Sequence, residues 1–141
     1  MRWLWVICLV LVAGCSSFNR DWKRAAIAPK TTNDVAGRWE GSWISEKNGH
    51  HGRLRCLITP AADTVYNARF HAKFWKIFSF GYTAPLTVQR SNTATRFTGR
   101  ADLGKLAGGV YNYAGVVTGT NYHSTYESAY DHGHFRMTRV P

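Results

Sequence analysis

Beyond residue 36 the chain alternates apolar and polar side chains with a period of two, the pattern of half-buried antiparallel strands. "RWEGSWIS" sets Trp39, Gly41 and Trp43 against Arg38, Glu40 and Ser42. "GRLRCLIT" sets Leu54, Cys56 and Ile58 against Arg53 and Arg55, and "VYNARFHAKF" sets Tyr66, Ala68, Phe70, Ala72 and Phe74 against Asn67, Arg69, His71 and Lys73. A fourth run over 77–90 carries Phe78, Phe80 and Tyr82, and Pro85 predicts a bulge or break within it. Further strands are expected near 94–102, 110–118, 122–129 and 134–140. The separators "EKNGH", "TPAAD", "RSNTA", "GKLAGG", "GTN" and "YDHG" are rich in turn formers. In "DHGH" the turn reading gives Gly133 a positive φ.

Eight strands joined by short loops pair with their sequence neighbours and can close on themselves, leaving no exposed edge. The expectation is all-β: an eight-stranded antiparallel up-and-down meander barrel over 37–141, with a two-sheet sandwich as the rival. Gly37-Arg38-Trp39 resembles the G-x-W motif that opens lipocalins and related calycin barrels. That resemblance implies a Trp closing one barrel end beneath an Arg from the last strand; Arg139, or else Arg136, is the matching candidate. It covers roughly residues 37–140, and no ligand is transferred with it.

The first residues break the alternation. Arg2 is followed by eleven apolar or small residues, Trp3 to Ala13, too few to span a bilayer at about 20 residues per span. A charged start, a short apolar core and a small-residue exit describe a secretory signal. Val12-Ala13-Gly14-Cys15 resembles the lipobox of bacterial lipoproteins, which implies a signal peptide over 1–14 and acylation of Cys15 as the first mature residue. Ser16 after the cysteine is similar to lipoproteins sent to an outer membrane, implying a lipid-anchored envelope protein facing the periplasm. Residues 15–36 read as a basic tether with a short helix near 21–28 that Pro29 would stop. Within it, Trp22 beside Lys23 and Arg24 suits either a membrane interface or a solvated linker.

Composition then limits the chemistry. The formal charge of +10 favours acidic partners, but export points to an anionic envelope component rather than nucleic acid. With Cys8 in the signal and Cys15 acylated, Cys56 has no disulfide partner and reads as a small buried hydrophobe. "GKLAGG" lacks the G-K-[ST] ending of a phosphate loop, and no nucleophile–base pair stands out. The chain therefore reads as a non-catalytic protein without a cofactor.

Two candidate sites remain. Trp43, Tyr66, Phe70, Phe80, Tyr126 and Ser128 fall on the inward face and would line a lumen for a small apolar or amphipathic ligand, with Gly41, Ala68 and Ala72 making room. So many large rings equally allow an interior filled by side chains. At the rim, the meander brings the first and seventh loops together, and with them His50, His51, His132 and His134 beside Glu46 and Asp131. Imidazole and carboxylate are competent metal ligands, but the spacing matches no established motif and no metal is expected. The leading function is binding of a small ligand within the barrel. The alternative is an envelope interaction protein using a basic outer surface of Arg53, Arg55, Arg69, Lys73, Arg96 and Arg100.

Overall fold

The computed structural model describes residues 17–29, 34–74 and 78–141. The signal, Cys15 and Ser16 lie outside the described residues. Eight strands follow in order: β1 (Gly37–Ser45), β2 (His51–Pro60), β3 (Val65–Phe74), β4 (Phe78–Arg90), β5 (Thr95–Asp102), β6 (Val110–Thr118), β7 (Asn121–Glu127) and β8 (His132–Arg139). Each pairs antiparallel with its neighbours, and β1 pairs with β8, so the sheet closes as a barrel. This is a meander barrel of lipocalin-like form, and the sandwich is excluded.

The alternation decides the faces. Cys56, Ala68 and Phe70 point inward and are almost fully buried, while Arg53 and Lys73 point outward. Three local expectations fail. Pro85 does not interrupt β4, which keeps one register with β3 from Val65↔Thr87 to Phe74↔Phe78. Its effect is on the other side: β4 pairs with β5 only over Leu86–Arg90, so the first half of β4 has no β5 partner. Proline has no N–H to give that ladder. The last turn occupies 128–131, three residues earlier than "DHGH" suggests. Gly133 therefore lies within β8, without a positive φ. It is glycine because a Cβ there would stand 1.9 Å from Ile44 O across the β1–β8 seam.

Gly41 does not make the expected room either. A Cβ on Gly41 would meet Arg136 O at 1.9 Å, and one on Gly52 would meet Lys73 O at 1.9 Å. Neighbouring backbone fills the space, as required where strands coil tightly to close a narrow barrel.

One end is sealed. The Arg139 guanidinium lies 4.3 Å from the Trp39 ring centre and donates to Ala36 O at 2.7 Å and to Asp34 O. Trp39 Nε1 donates to Val35 O at 2.9 Å. Residues 34–36 thus cross beneath the barrel as a cap, with Val35 fully buried. Asp34 continues the seal by accepting from Tyr66 Oη and Arg90 Nη2, both at 3.1 Å. Burial alone would raise its pKa, but those bonds and the Val35 amide hold it below the ordinary carboxylate value.

The N-terminal segment is not a free tether. Residues 17–27 form a helix, α1, which ends just before Pro29 and packs on the outside of β1–β3. Phe18 stacks on His71 at 5.0 Å and on Trp22 at 5.7 Å. Guanidiniums of Arg55 and Arg69 cover Phe18 at 5.0 and 5.3 Å, and Arg55 and Arg38 cover Trp22 at 5.3 and 5.4 Å. Arg69 also bonds Asp21 at 2.8 Å and Ser17 Oγ at 2.6 Å, and Arg55 bonds Asn19 at 3.0 Å. Such cation–ring contacts contribute about 0.5–2 kcal/mol each as they lose water. Ser17 therefore sits halfway up the barrel wall, and the chain does not leave the domain beneath Trp39.

Candidate functional site: an aromatic mouth over buried hydroxyls

The lumen holds two sets of rings. At the sealed end Tyr122 packs on Trp39 at 5.8 Å and on Phe97 at 5.1 Å. Further along, Phe70 from β3 reaches across to Phe135 of β8 at 5.3 Å and to Tyr113 of β6 at 6.0 Å, and stacks on Tyr82 of β4 at 5.2 Å. Rings from four strands in mutual contact leave no open shaft at that level.

The second set continues toward the unsealed end. Tyr113 stacks on Tyr111 at 6.4 Å and on Tyr82 at 6.3 Å, and Tyr82 on Phe80 at 6.2 Å, with interplanar angles of 15–19°. Tyr82 and Tyr111 are half-buried and Phe80 is 50% exposed, so this bank of near-parallel rings reaches solvent. Trp43 is half-buried beside it, its Nε1 donating to Lys73 O at 3.0 Å above Gly52. The result is a shallow aromatic mouth next to the stretch of β4 that β5 does not pair.

Polar atoms lie within this apolar packing. Tyr113 Oη, Tyr122 Oη and Ser124 Oγ are buried without a hydrogen-bond partner among the described residues. Tyr122 faces Ser124 and Tyr113 faces Tyr82 closely enough for each neighbour to bear on the hydroxyl's titration, although no partner meets full hydrogen-bond geometry. Burial first, and then the proximity of Tyr113, Tyr122 and Cys56, pushes the Tyr82 hydroxyl well above its ordinary pKa. Burial raises Tyr113 and Tyr122 likewise, so all three remain protonated donors. Burial also pushes the Cys56 thiol up, which leaves it protonated and a poor nucleophile.

The six residues read as lumen lining divide accordingly. Phe70 is the ring that crosses the interior, and Trp43 and Phe80 stand at the mouth. Tyr66 is buried but belongs to the seal with Asp34 and Arg90. Tyr126 lies under the rim, donating to Asp131 at 3.2 Å, while Ser45 Oγ donates to the same carboxylate at 2.5 Å. Ser128 does not line the interior: β7 ends at Glu127, and Ser128 Oγ accepts from the Tyr130 and Asp131 amides in the turn. Tyr82, Tyr111, Tyr113 and Tyr122, all inward by strand parity, carry more of the site than sequence reading gave them.

The rim histidines gather only in part. His134 bonds Glu46, and His132 Nε2 lies 3.9 Å from the same carboxylate. His50 and His51 are exposed, and His51 Nδ1 meets Gly49 O at 3.2 Å. The second ring against His134 is His123, stacked at 5.2 Å on the outer wall. Among the described residues no group of three or more His, Cys, Asp or Glu is placed to hold a metal ion. On the basic surface, Arg55 and Arg69 are engaged by α1, and Arg53 pairs with Glu40 at 2.6 Å.

No protein-family model matches the chain, and no curated protein matches it in sequence.

Proposed function

We propose that this chain is a lipid-anchored bacterial envelope protein whose barrel binds a small amphipathic molecule, polar group first, through the aromatic mouth. The observation that carries this reading is the set of buried hydroxyls on Tyr113, Tyr122 and Ser124 that lack partners. A buried polar group left unpaired costs about 1–3 kcal/mol. A guest bringing one or two hydrogen-bonding atoms removes that cost, and its apolar remainder stacks on Tyr82, Tyr111 and Phe80. Because Phe70 and Phe135 meet across the lumen, the guest is small, or it displaces the Phe70 ring on entry. The binding is non-catalytic, in keeping with the protonated Cys56 thiol. The anchor rests on the lipobox-like Val12-Ala13-Gly14-Cys15.

Native mass spectrometry of the gently purified protein tests the reading. The expected result is a retained small molecule that is lost in a Tyr122→Phe/Ser124→Ala double variant of unchanged fold. A bare polypeptide mass from several preparations, with unchanged unfolding temperature across a panel of fatty acids, sterols and aromatic alcohols, would overturn it.

A further inference from the structure

The docked helix α1 has an outer face as well as the inner one that packs on the barrel. At 100° per residue, positions 20, 23, 24 and 27 fall within about a 100° arc opposite Phe18 and Trp22. Those positions hold Arg20, Lys23, Arg24 and Ile27. All four are exposed, Ile27 at 88%, and among the described residues the one acidic contact in the group is Arg20 Nε to Asp21 at 3.7 Å. Beyond the edge of α1, Arg53 and Lys73 are also outward and exposed, lining a recess of about 230 Å³ with Trp22 and Glu40.

The position of α1 gives this face its partner. Ser17 is held to the wall by Arg69, and Cys15 precedes it by two residues, a reach of at most about 7 Å. An acyl anchor on Cys15 therefore enters the bilayer beside α1 and not at the end of a long coil. We infer that the stripe Arg20, Lys23, Arg24 and Ile27 is a membrane-docking face for anionic phospholipid head groups. It lays the barrel on its β1–β3 side, with three cations at the phosphate level and Ile27 entering the interface. The acyl anchor holds the chain to the membrane, and a basic patch beside it orients the domain on an anionic surface and adds to the attachment. Each cation near an anionic surface strengthens attachment roughly fivefold. This inference rests on the lipid-anchor half of the proposed function and not on the ligand.

The test uses the full acylated chain reconstituted in vesicles of phosphatidylcholine, with or without phosphatidylglycerol. Nitroxide labels are placed at Ile27→Cys on α1 and, on the opposite wall, at Asn112→Cys in β6; Cys56 is buried and does not compete for label. On the anionic vesicles the label at 27 should be shielded from an aqueous nickel chelate while the label at 112 stays open. R20E/K23E/R24E, or high salt, should reopen position 27 several-fold. Equal accessibility at 27 on both vesicle types, unaffected by charge reversal, overturns the docking face. Palmitate labelling, and its loss in Cys15→Ala, reads the anchor separately. An unlabelled wild-type chain refutes the anchor and the docking face with it, whereas a labelled chain with an open position 27 refutes the face alone.

Discussion

Replacing Phe70 by alanine removes the ring that ties opposite walls of the barrel together. Phe70 is 1% exposed and packs against Tyr82, Tyr113 and Phe135 at 5.2–6.0 Å. Its partners belong to β4, β6 and β8, whose backbones cannot all move inward without breaking ladders, so the cavity will not collapse. The cost should sit in the upper part of the range for buried Phe→Ala, about 4–5 kcal/mol. Three aromatic pairs at about 0.5–1.5 kcal/mol each are part of that loss. Since domain stabilities are about 5–15 kcal/mol, Phe70→Leu should be measured alongside, with an expected loss of about 1.5 kcal/mol. Urea unfolding followed by tryptophan fluorescence reads both. The alanine variant should also take up small apolar probes such as toluene and regain stability with their concentration. A Phe70→Ala loss below about 1.5 kcal/mol would mean that the ring does not bridge the lumen, and the filled interior would be wrong.

Other changes probe the seal, the seam and the helix. Arg139→Ala removes two charged hydrogen bonds and the stack on Trp39 and should cost about 3 kcal/mol; thermal unfolding within 1 kcal/mol of wild type would refute the sealing role. Gly133→Ala places a methyl group 1.9 Å from Ile44 O and should cost about 2–3 kcal/mol, with amide exchange quickening first in β1 and β8; protection in those strands equal to wild type would show that the seam tolerates the methyl. Burial, followed by Arg55, Lys73 and Arg69, holds His71 below its ordinary pKa of 6.5 beneath Phe18. The unfolded or undocked chain then binds the proton more readily, so the docked state is fully stable above pH 6.5 and weakens as pH falls toward the lowered value. The protection factors of the α1 amides, corrected for intrinsic exchange, should fall over that interval in the wild type and stay flat in His71→Gln; matching profiles would refute it.

The strands were legible because parity is a local signal: every inward residue of β2 and β3 follows from the alternation around Cys56 and Phe70. What failed depended on a choice between neighbouring residues or on a distant partner. "SAYD" turns the chain instead of "DHGH" because Ser128 Oγ gathers two amides, a bond visible only once the turn exists. Gly133 looked like a turn glycine, yet its constraint comes from Ile44, far back in the chain. Gly41 looked like vacated space for the same reason. Arg55 and Arg69 read as free surface because nothing in β2 or β3 reveals that Phe18 and Trp22 will cover them. The Phe–Trp spacing of four residues in 18–22 was the one available hint, an apolar stripe on an otherwise basic helix. The orphan hydroxyls of Tyr113 and Tyr122 follow from parity, but their lack of partners follows from distance.

The β1–β8 seam also sets the order in which this protein can be completed. Trp39 pairs with Arg139 and Ser45 with Gly133, so the first strand synthesised waits for the last. Until β8 is present, β1 and β7 each offer an unpaired edge, and closure over so long a loop is intrinsically slow. A chain ending before His132 should therefore assemble edge to edge into multimers, whereas losing only residues beyond Arg139 should leave monomers. Strand β8 is thus a latch for the whole sheet, closing it against β1 from Trp39↔Arg139 to Ser45↔Gly133.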